Sequence, residues 1–409
     1  MISRIQKVIK LYPRQFWLIA FVMMLAWTFH SMLWPFLLIY VSQKLNTSLT
    51  AVAGMLSINA LVGLATTFLG GAIADRFGRK WVMAISLIIC AFSWYLFQLA
   101  DTVAIFVALM ALNGATTPLY RLAADAMMAD LVPPENRIEA YSILRMGNNL
   151  GVALGPAIGG FTAAISYNIS FTIAGVGILL CGLLVMVFSG ETIPARDYTL
   201  PEPRSRLGGY GKIFKDQKFL SLIGAFILNR ISSATIWLML GVYVKNNFGM
   251  SERLFGFIPM TNALMVVLFQ VLTTRWVKRH NPKWMMVLGS AFYGAAVFGV
   301  AFGQGFWAFW LCMVIATIGE MILVPTTTTA AAGMAPDDMR GRYMSVYTLT
   351  SGVGSGVGPL LGGFLSDSFG PVTTWYGGGL IGLAGTAAFL FNIFSQKRRD
   401  KKAEILAEN

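Results

Sequence analysis

The sequence predicts an all-α membrane protein with twelve transmembrane helices in two parallel six-helix repeats. Composition, the spacing of apolar blocks and an internal repeat together lead to this reading. Of 409 residues, 56% are hydrophobic and 12% charged, against about 25% charged in soluble domains. Apolar blocks recur twelve times, at about 15–42, 50–74, 80–100, 103–127, 138–165, 168–189, 218–245, 253–274, 284–303, 306–330, 341–366 and 371–395. A helix needs about 20 apolar residues to cross a bilayer. A transmembrane barrel would alternate in strands of about ten residues instead.

The repeat appears on a shift of 203 residues, without a gap. Trp34 meets Trp237, Tyr40 meets Tyr243, and Asn59 meets Asn262. Arg76, Lys80, Trp81 and Met83 meet Arg279, Lys283, Trp284 and Met286. Gly151, Gly155, Pro156, Gly159 and Gly160 meet Gly354, Gly358, Pro359, Gly362 and Gly363. Shared lipid constraints match apolar residues, but they do not align Gly, Pro, Trp and Arg in one register. Six spans per copy give both copies the same orientation, the architecture of alternating-access carriers.

The chain opens with bases and then an apolar run, Phe16 to Val41. The run is too long for a signal-peptide core and no small-residue cleavage site follows, so it reads as a retained first span. The longest polar stretch starts at Gly190 and contains Pro194, Pro201, Pro203 and the Gly208-Gly209 pair. It reads as a linker. The expected organisation is a first bundle over 1–190, a cytoplasmic linker over 191–217, a second bundle over 218–396 and a basic tail over 397–409.

A net charge of +13 raises the possibility of a nucleic-acid partner, but the distribution argues against one. With the N-terminus inside, 25 of the 31 Lys and Arg residues fall on inner segments, and only Lys44, Lys245 and Arg253 on outer loops. That is a topology signal placing both termini in the cytoplasm, with some attraction to anionic lipid heads. Cys90, Cys181 and Cys312 lie inside apolar blocks without paired spacing, so neither a metal nor a disulfide role is expected. There is no nucleotide-binding glycine loop or metal-ligand cluster, which argues against an enzyme and against direct ATP coupling. No cofactor is expected.

Charge concentrates in "GGAIADRFGRKWVM", residues 70–83. Asp75 ends a helix, where the macrodipole disfavours an anion, and Gly78 permits a left-handed turn. Arg76, Arg79 and Lys80 can reach acids on neighbouring loops, Asp130 among them. One reading is a solvated positive loop. The other is a latch of ion pairs that holds one conformation and breaks in another. The second motif, "GNNLGVALGPAIGG" at 147–160, places Gly147, Gly151, Gly155 and Gly159 on one helix stripe. Such stripes let helices pack closely in lipid. Pro156 permits a bend, and Gly160 completes the motif.

Ionisable residues at membrane depth are site candidates by default. At 1.5 Å of rise per residue, Glu320 falls near the midplane of span ten, Arg230 near the middle of span seven and His30 near the middle of span one. Arg121 and Asp125 are four apart and can pair on one helix face. Arg145 lies about two turns into span five. His30, Trp34, Arg121, Arg145, Arg230, Trp237 and Glu320 are the expected cavity residues. Glu320, Asp125 and His30 are the expected proton carriers. Each has a structural alternative: a packing histidine, or a permanent ion network at the inner mouth. An aromatic-lined cavity suits amphipathic compounds.

The first motif resembles the signature between spans two and three of the major facilitator superfamily, matched at Gly71, Asp75, Arg76, Gly78, Arg79 and Lys80. The resemblance implies a cytoplasmic latch stabilising the outward-open state, with Asp75 facing the start of span eleven and Arg79 or Arg76 meeting Asp130. The glycine motif is similar to the fifth-span signature of twelve-span drug:proton antiporters, although its second copy at 354–363 weakens it as a marker of direction. Those relatives carry an arginine four residues before a glycine in span four; here Met110 precedes Gly114 at that distance. The expected function is proton-coupled efflux of small amphipathic compounds by a monomer in the bacterial inner membrane. The alternatives are a carrier of a specific metabolite, organic anion or lipid-like substrate, and a membrane sensor on the same fold.

Overall fold

The computed structural model describes residues 11–193, 210–336 and 339–407. Most of the linker and the first ten residues therefore lie outside the described residues, as do the side chains of the basic tail. Twelve long helices follow one another among the described residues. They are α1 (Arg14–Leu45), α2 (Leu49–Phe77), α3 (Arg79–Phe97), α4 (Val103–Leu131), α5 (Arg137–Ile165) and α6 (Tyr167–Phe188), then α7 (Gln217–Phe248), α8 (Glu252–Val277), α9 (Pro282–Gly299), α10 (Gly305–Met334), α11 (Arg340–Phe369) and α12 (Thr373–Ala407). No strand occurs among the described residues. Ten of the twelve are long and apolar enough to cross a membrane by length and composition; α5 and α11 are not.

Those two helices are less apolar because their small residues serve helix contact. On α5, a Cβ at Gly151 would lie 2.6 Å from the Met24 carbonyl oxygen of α1, and one at Gly155 would lie 2.6 Å from that of Thr28. The Ser31 hydroxyl donates to the Gly151 carbonyl at 3.1 Å. The second copy repeats this: Gly354 and Gly358 of α11 press on Arg230 and Ile231 of α7, with Cβ positions 2.7 Å from their carbonyl oxygens. Buried carbonyls facing glycine permit the close approach on which association in lipid depends.

The chain forms two compact units. The first comprises Met1–Thr47, Gly54–Pro201 and Val244–Val267; the second comprises Ser48–Ala53, Glu202–Tyr243 and Leu268–Asn409. These follow the repeat halves except at 48–53 and 244–267. In the first unit, Gly160 approaches the Glu252 carbonyl, with a Cβ distance of 2.6 Å. In the second, Gly363 approaches Leu49 at 2.9 Å. A shift of 203 residues maps one contact onto the other. Each has a polar tie beside it. Tyr167 donates to Glu252 at 2.9 Å and Lys245 pairs with Glu252 at 3.0 Å. Asp367 accepts from the Thr50 N–H at 2.7 Å. The three cysteines are buried free thiols.

Candidate functional site

The charged motif builds a fixed turn. Gly78 alone joins α2 to α3, with φ 98°, a left-handed value that favours glycine. A Cβ there would lie 2.6 Å from Glu191 Oε2. Glu191, just past α6, is the residue sequence reasoning missed. Its carboxylate accepts from the first N–H groups of α3, Arg79 at 3.1 Å and Lys80 at 3.3 Å. An anion at a helix start satisfies donors the helix leaves open and complements its dipole.

Arg79 ion-pairs with Asp130 of α4, and its second arm lies 3.4 Å from Asp75 one turn back. It also donates to the Ala126 carbonyl at 3.2 Å. The arginine facing Asp130 is thus Arg79. Arg76 and Lys80 lie over the exposed rings of Phe77 and Trp81, at 5.5 and 5.1 Å. A Cβ on Gly71 would meet nothing within 4 Å. In the second copy α8 ends at Val277 and α9 begins at Pro282, so four residues replace the single glycine. Lys278 stands where Asp75 would be.

His30 lies in an aromatic cluster of the first unit. Its ring stacks on Trp34 at 5.4 Å and meets Trp94 and Trp27 edge-on at 5.6 and 6.1 Å. Its Nδ1 is buried without a hydrogen-bond partner, as are the indole nitrogens of Trp27 and Trp94. Arg121 lies over the Trp27 ring at 5.2 Å.

Arg121 and Asp125 make no ion pair within 4.0 Å, although the guanidinium acts on the carboxylate electrostatically. The guanidinium gains the indole face instead, a contact that helical spacing cannot rank against an ion pair. The Asp125 carbonyl accepts from Tyr141 at 3.1 Å. Arg145 is exposed and has no acidic partner among the described residues. Met110 is fully buried, and its carbonyl accepts from the Asn59 amide at 2.9 Å.

Glu320 of α10 lies in a polar chain of the second unit. Tyr293 of α9 donates to Glu320 Oε2 at 3.2 Å, and Ser233 of α7 donates to Tyr293 at 3.3 Å. Trp237 interacts with the same hydroxyl, and Arg230 is in electrostatic reach of it. The Arg230 guanidinium lies 4.6 Å from the Phe226 ring, and its Nε is buried and unpartnered. Phe226 stacks on Tyr347 at 5.1 Å. Arg230, Trp237 and Glu320 therefore converge on Tyr293. The only sequence signal for Tyr293 was one phenol within an apolar span. Among the described residues no group of three or more His, Cys, Asp and Glu could hold a metal ion.

Repeated six-helix halves, apolar helices and ionisable groups at membrane depth define an integral, multi-pass membrane transporter. The chain belongs to the Major Facilitator Superfamily, whose sequence model matches residues 16–229 and 222–408. Among curated relatives it is 27% identical to a "Na(+), Li(+), K(+)/H(+) antiporter" of Planococcus maritimus, over 85% of this chain and 87% of the relative. It is 26% identical to "Multidrug resistance protein 1" of Bacillus subtilis, over 80% and 83%. It is also 26% identical to a "Multidrug resistance protein" of Yersinia enterocolitica, over 89% and 90%. Among solved structures, a nucleoside transporter superposes with a TM-score of 0.81 at 13% identity, covering 93% of this chain and 100% of that one. A POT family transporter gives 0.78 at 18%, covering 94% and 96%.

Proposed function

We propose that this protein exports small amphipathic compounds in exchange for protons by alternating access, with Glu320 as the proton-carrying group. The observation supporting this most directly is the polar chain Ser233–Tyr293–Glu320 on α7, α9 and α10. It gives an acid at membrane depth a hydroxyl partner that can follow a change of its charge. Trp27 and Trp34 beside His30 are half-buried and offer flat apolar faces suited to amphipathic molecules, with the buried Trp94 behind the His30 ring. Two relatives named multidrug resistance proteins agree with that substrate class. Asp125 and His30 are the reserve proton carriers. The protein works as a monomer in a bacterial plasma membrane with both termini cytoplasmic, the orientation that its basic loops favour.

The name of the Planococcus relative favours a second reading, exchange of monovalent cations for protons. Against it stands the count of candidate charges at membrane depth, three arginines, Arg121, Arg145 and Arg230, to two acids, Asp125 and Glu320. The test uses proteoliposomes with an imposed pH gradient and an internal pH dye. Cationic, neutral and anionic amphiphiles are added in turn, then Na⁺, Li⁺ and K⁺. The expected result is gradient collapse by amphipathic compounds. Collapse by the alkali cations alone selects the second reading; movement of a single anion or lipid-like solute selects a dedicated carrier. No response to any class favours a sensor.

The turn at Gly78 is the latch in this reading. Arg79→Gln breaks both of its acid contacts, whereas Asp75→Asn leaves the ion pair of Arg79 with Asp130 in place. Arg79→Gln is therefore expected to change the inside-to-outside labelling ratio of single cysteines severalfold, and Asp75→Asn less. An unchanged ratio for Arg79→Gln removes the latch.

A further inference from the structure

The second unit contains a cavity apart from the proton chain, lined in part by Lys283 and Met286 of the repeated motif. It measures about 420 Å³ and lies where the first turns of α7 and α9 meet residues 389–395 of α12. Its lining combines Lys218, Lys283, Ser221 and Asn392 with Phe389 and Met286. That volume falls within the roughly 300–1,000 Å³ of small-molecule sites.

The polar groups of this cavity differ in how far they are satisfied. Ser221 and Asn392 pair with each other: the Ser221 hydroxyl donates to Asn392 Oδ1, and Asn392 Nδ2 donates to the Ser221 carbonyl at 3.2 Å. Asp216, the acid nearest in sequence to Lys218, is engaged elsewhere. One oxygen accepts from the Phe219 N–H at 3.1 Å and the other from the Tyr343 hydroxyl at 3.0 Å. The two ammonium groups are left. Both are exposed, and among the described residues neither has an anionic partner. Among the described residues the cavity thus presents positive charge without a facing acid.

The walls narrow the choice of ligand. Phe389 and Met286 are buried apolar surface. Phe391, which also lines the cavity, is 70% exposed on a helix of a membrane protein. The cavity is therefore cationic at its helix starts and apolar beside the bilayer. A free inorganic anion would use only the first half of that surface. Beyond Ser395 the sequence continues with Lys397, Arg398, Arg399, Lys401 and Lys402, a run that draws an anionic membrane surface.

We propose that this cavity binds an anionic phospholipid, its phosphate against Lys218 and Lys283 and the upper part of its acyl chains along Phe389, Met286 and Phe391. The proposal is independent of which substrate is carried. It is tested by native mass spectrometry of the detergent-purified protein, titrated with equimolar phosphatidylglycerol and phosphatidylcholine. The wild type is expected to retain phosphatidylglycerol at least tenfold more tightly. The pair Lys218→Gln and Lys283→Gln should lose that preference. The pair Lys218→Arg and Lys283→Arg should keep it. The exposed pair Lys212→Gln and Lys215→Gln, outside the cavity, should also keep it.

Equal retention by the Lys218→Gln, Lys283→Gln protein overturns the proposal. So does an equal loss in the Lys212, Lys215 control, which would mean general surface attraction. Complete displacement of the lipid by millimolar inorganic phosphate or glycerol 3-phosphate identifies a free-anion site and overturns the lipid assignment. Should the double glutamine protein aggregate, Ser221→Phe fills the cavity while leaving both lysines. It must weaken phosphatidylglycerol retention about tenfold, and unchanged retention overturns the proposal.

Discussion

Glu320→Gln is expected to abolish transport driven by a pH gradient, by a hundredfold or more, while binding or passive exchange of substrate stays measurable. Glutamine keeps the shape of a protonated carboxyl but cannot gain or lose a proton. The Tyr293 hydroxyl, 3.2 Å from Glu320 Oε2, can still donate to the amide oxygen, so the packing of α9 on α10 should survive. Charge at membrane depth is costly, and a group that cycles its charge there couples the proton to the conformational change. Tyr293→Phe should act differently. It removes the donor without removing the titrating group, so transport should fall but keep its dependence on the gradient. Full gradient-driven transport by Glu320→Gln, measured with the internal pH dye, would rule out the assignment. The search would then move to Asp125 and His30.

The turn between α2 and α3 was legible because charge stands out in an apolar chain; the residues offered Asp130 as one candidate partner, and the family resemblance narrowed its arginine to Arg79 or Arg76. Glu191 was not legible, because it acts through the backbone N–H groups of Arg79 and Lys80 and lies 112 residues away from Arg79. Backbone donors leave no trace in a sequence. Arg121 shows a second limit. Four-residue spacing brings Arg121 and Asp125 to one helix face, but the Trp27 ring at 5.2 Å holds the guanidinium. Competition between partners is a tertiary matter. Trp94 and Tyr293 illustrate a third: inside an apolar block an aromatic looks like packing until its neighbours are known. The helices were readable as twelve blocks, yet α5 and α11 fall short on apolarity. They were read as apolar blocks 138–165 and 341–366, and the shared Gly and Pro register of the repeat supports them as a matched pair.

The glycine stripe of α5 leads to the largest expected loss of stability. Gly155→Leu places a side chain where a Cβ alone already meets the Ser31 hydroxyl and lies 2.6 Å from the Thr28 carbonyl and 2.9 Å from the Met32 amide. Two of these neighbours are backbone atoms of α1, which cannot rotate away, so the helices must separate. Overpacking typically costs ~1–3 kcal/mol and occasionally more; a leucine against backbone belongs at or above the upper end. Separation would also break the Ser31 to Gly151 hydrogen bond. Gly160→Ala is not harmless either, since its Cβ would lie 2.6 Å from the Glu252 carbonyl. The suitable reference is Gly54→Ala, whose Cβ meets nothing within 4 Å. Thermal unfolding of the purified variants in detergent should therefore rank Gly155→Leu lowest, Gly160→Ala between, and Gly54→Ala level with wild type. A Gly155→Leu protein that melts with the wild type would mean that this stripe faces lipid and α1 does not pack on it.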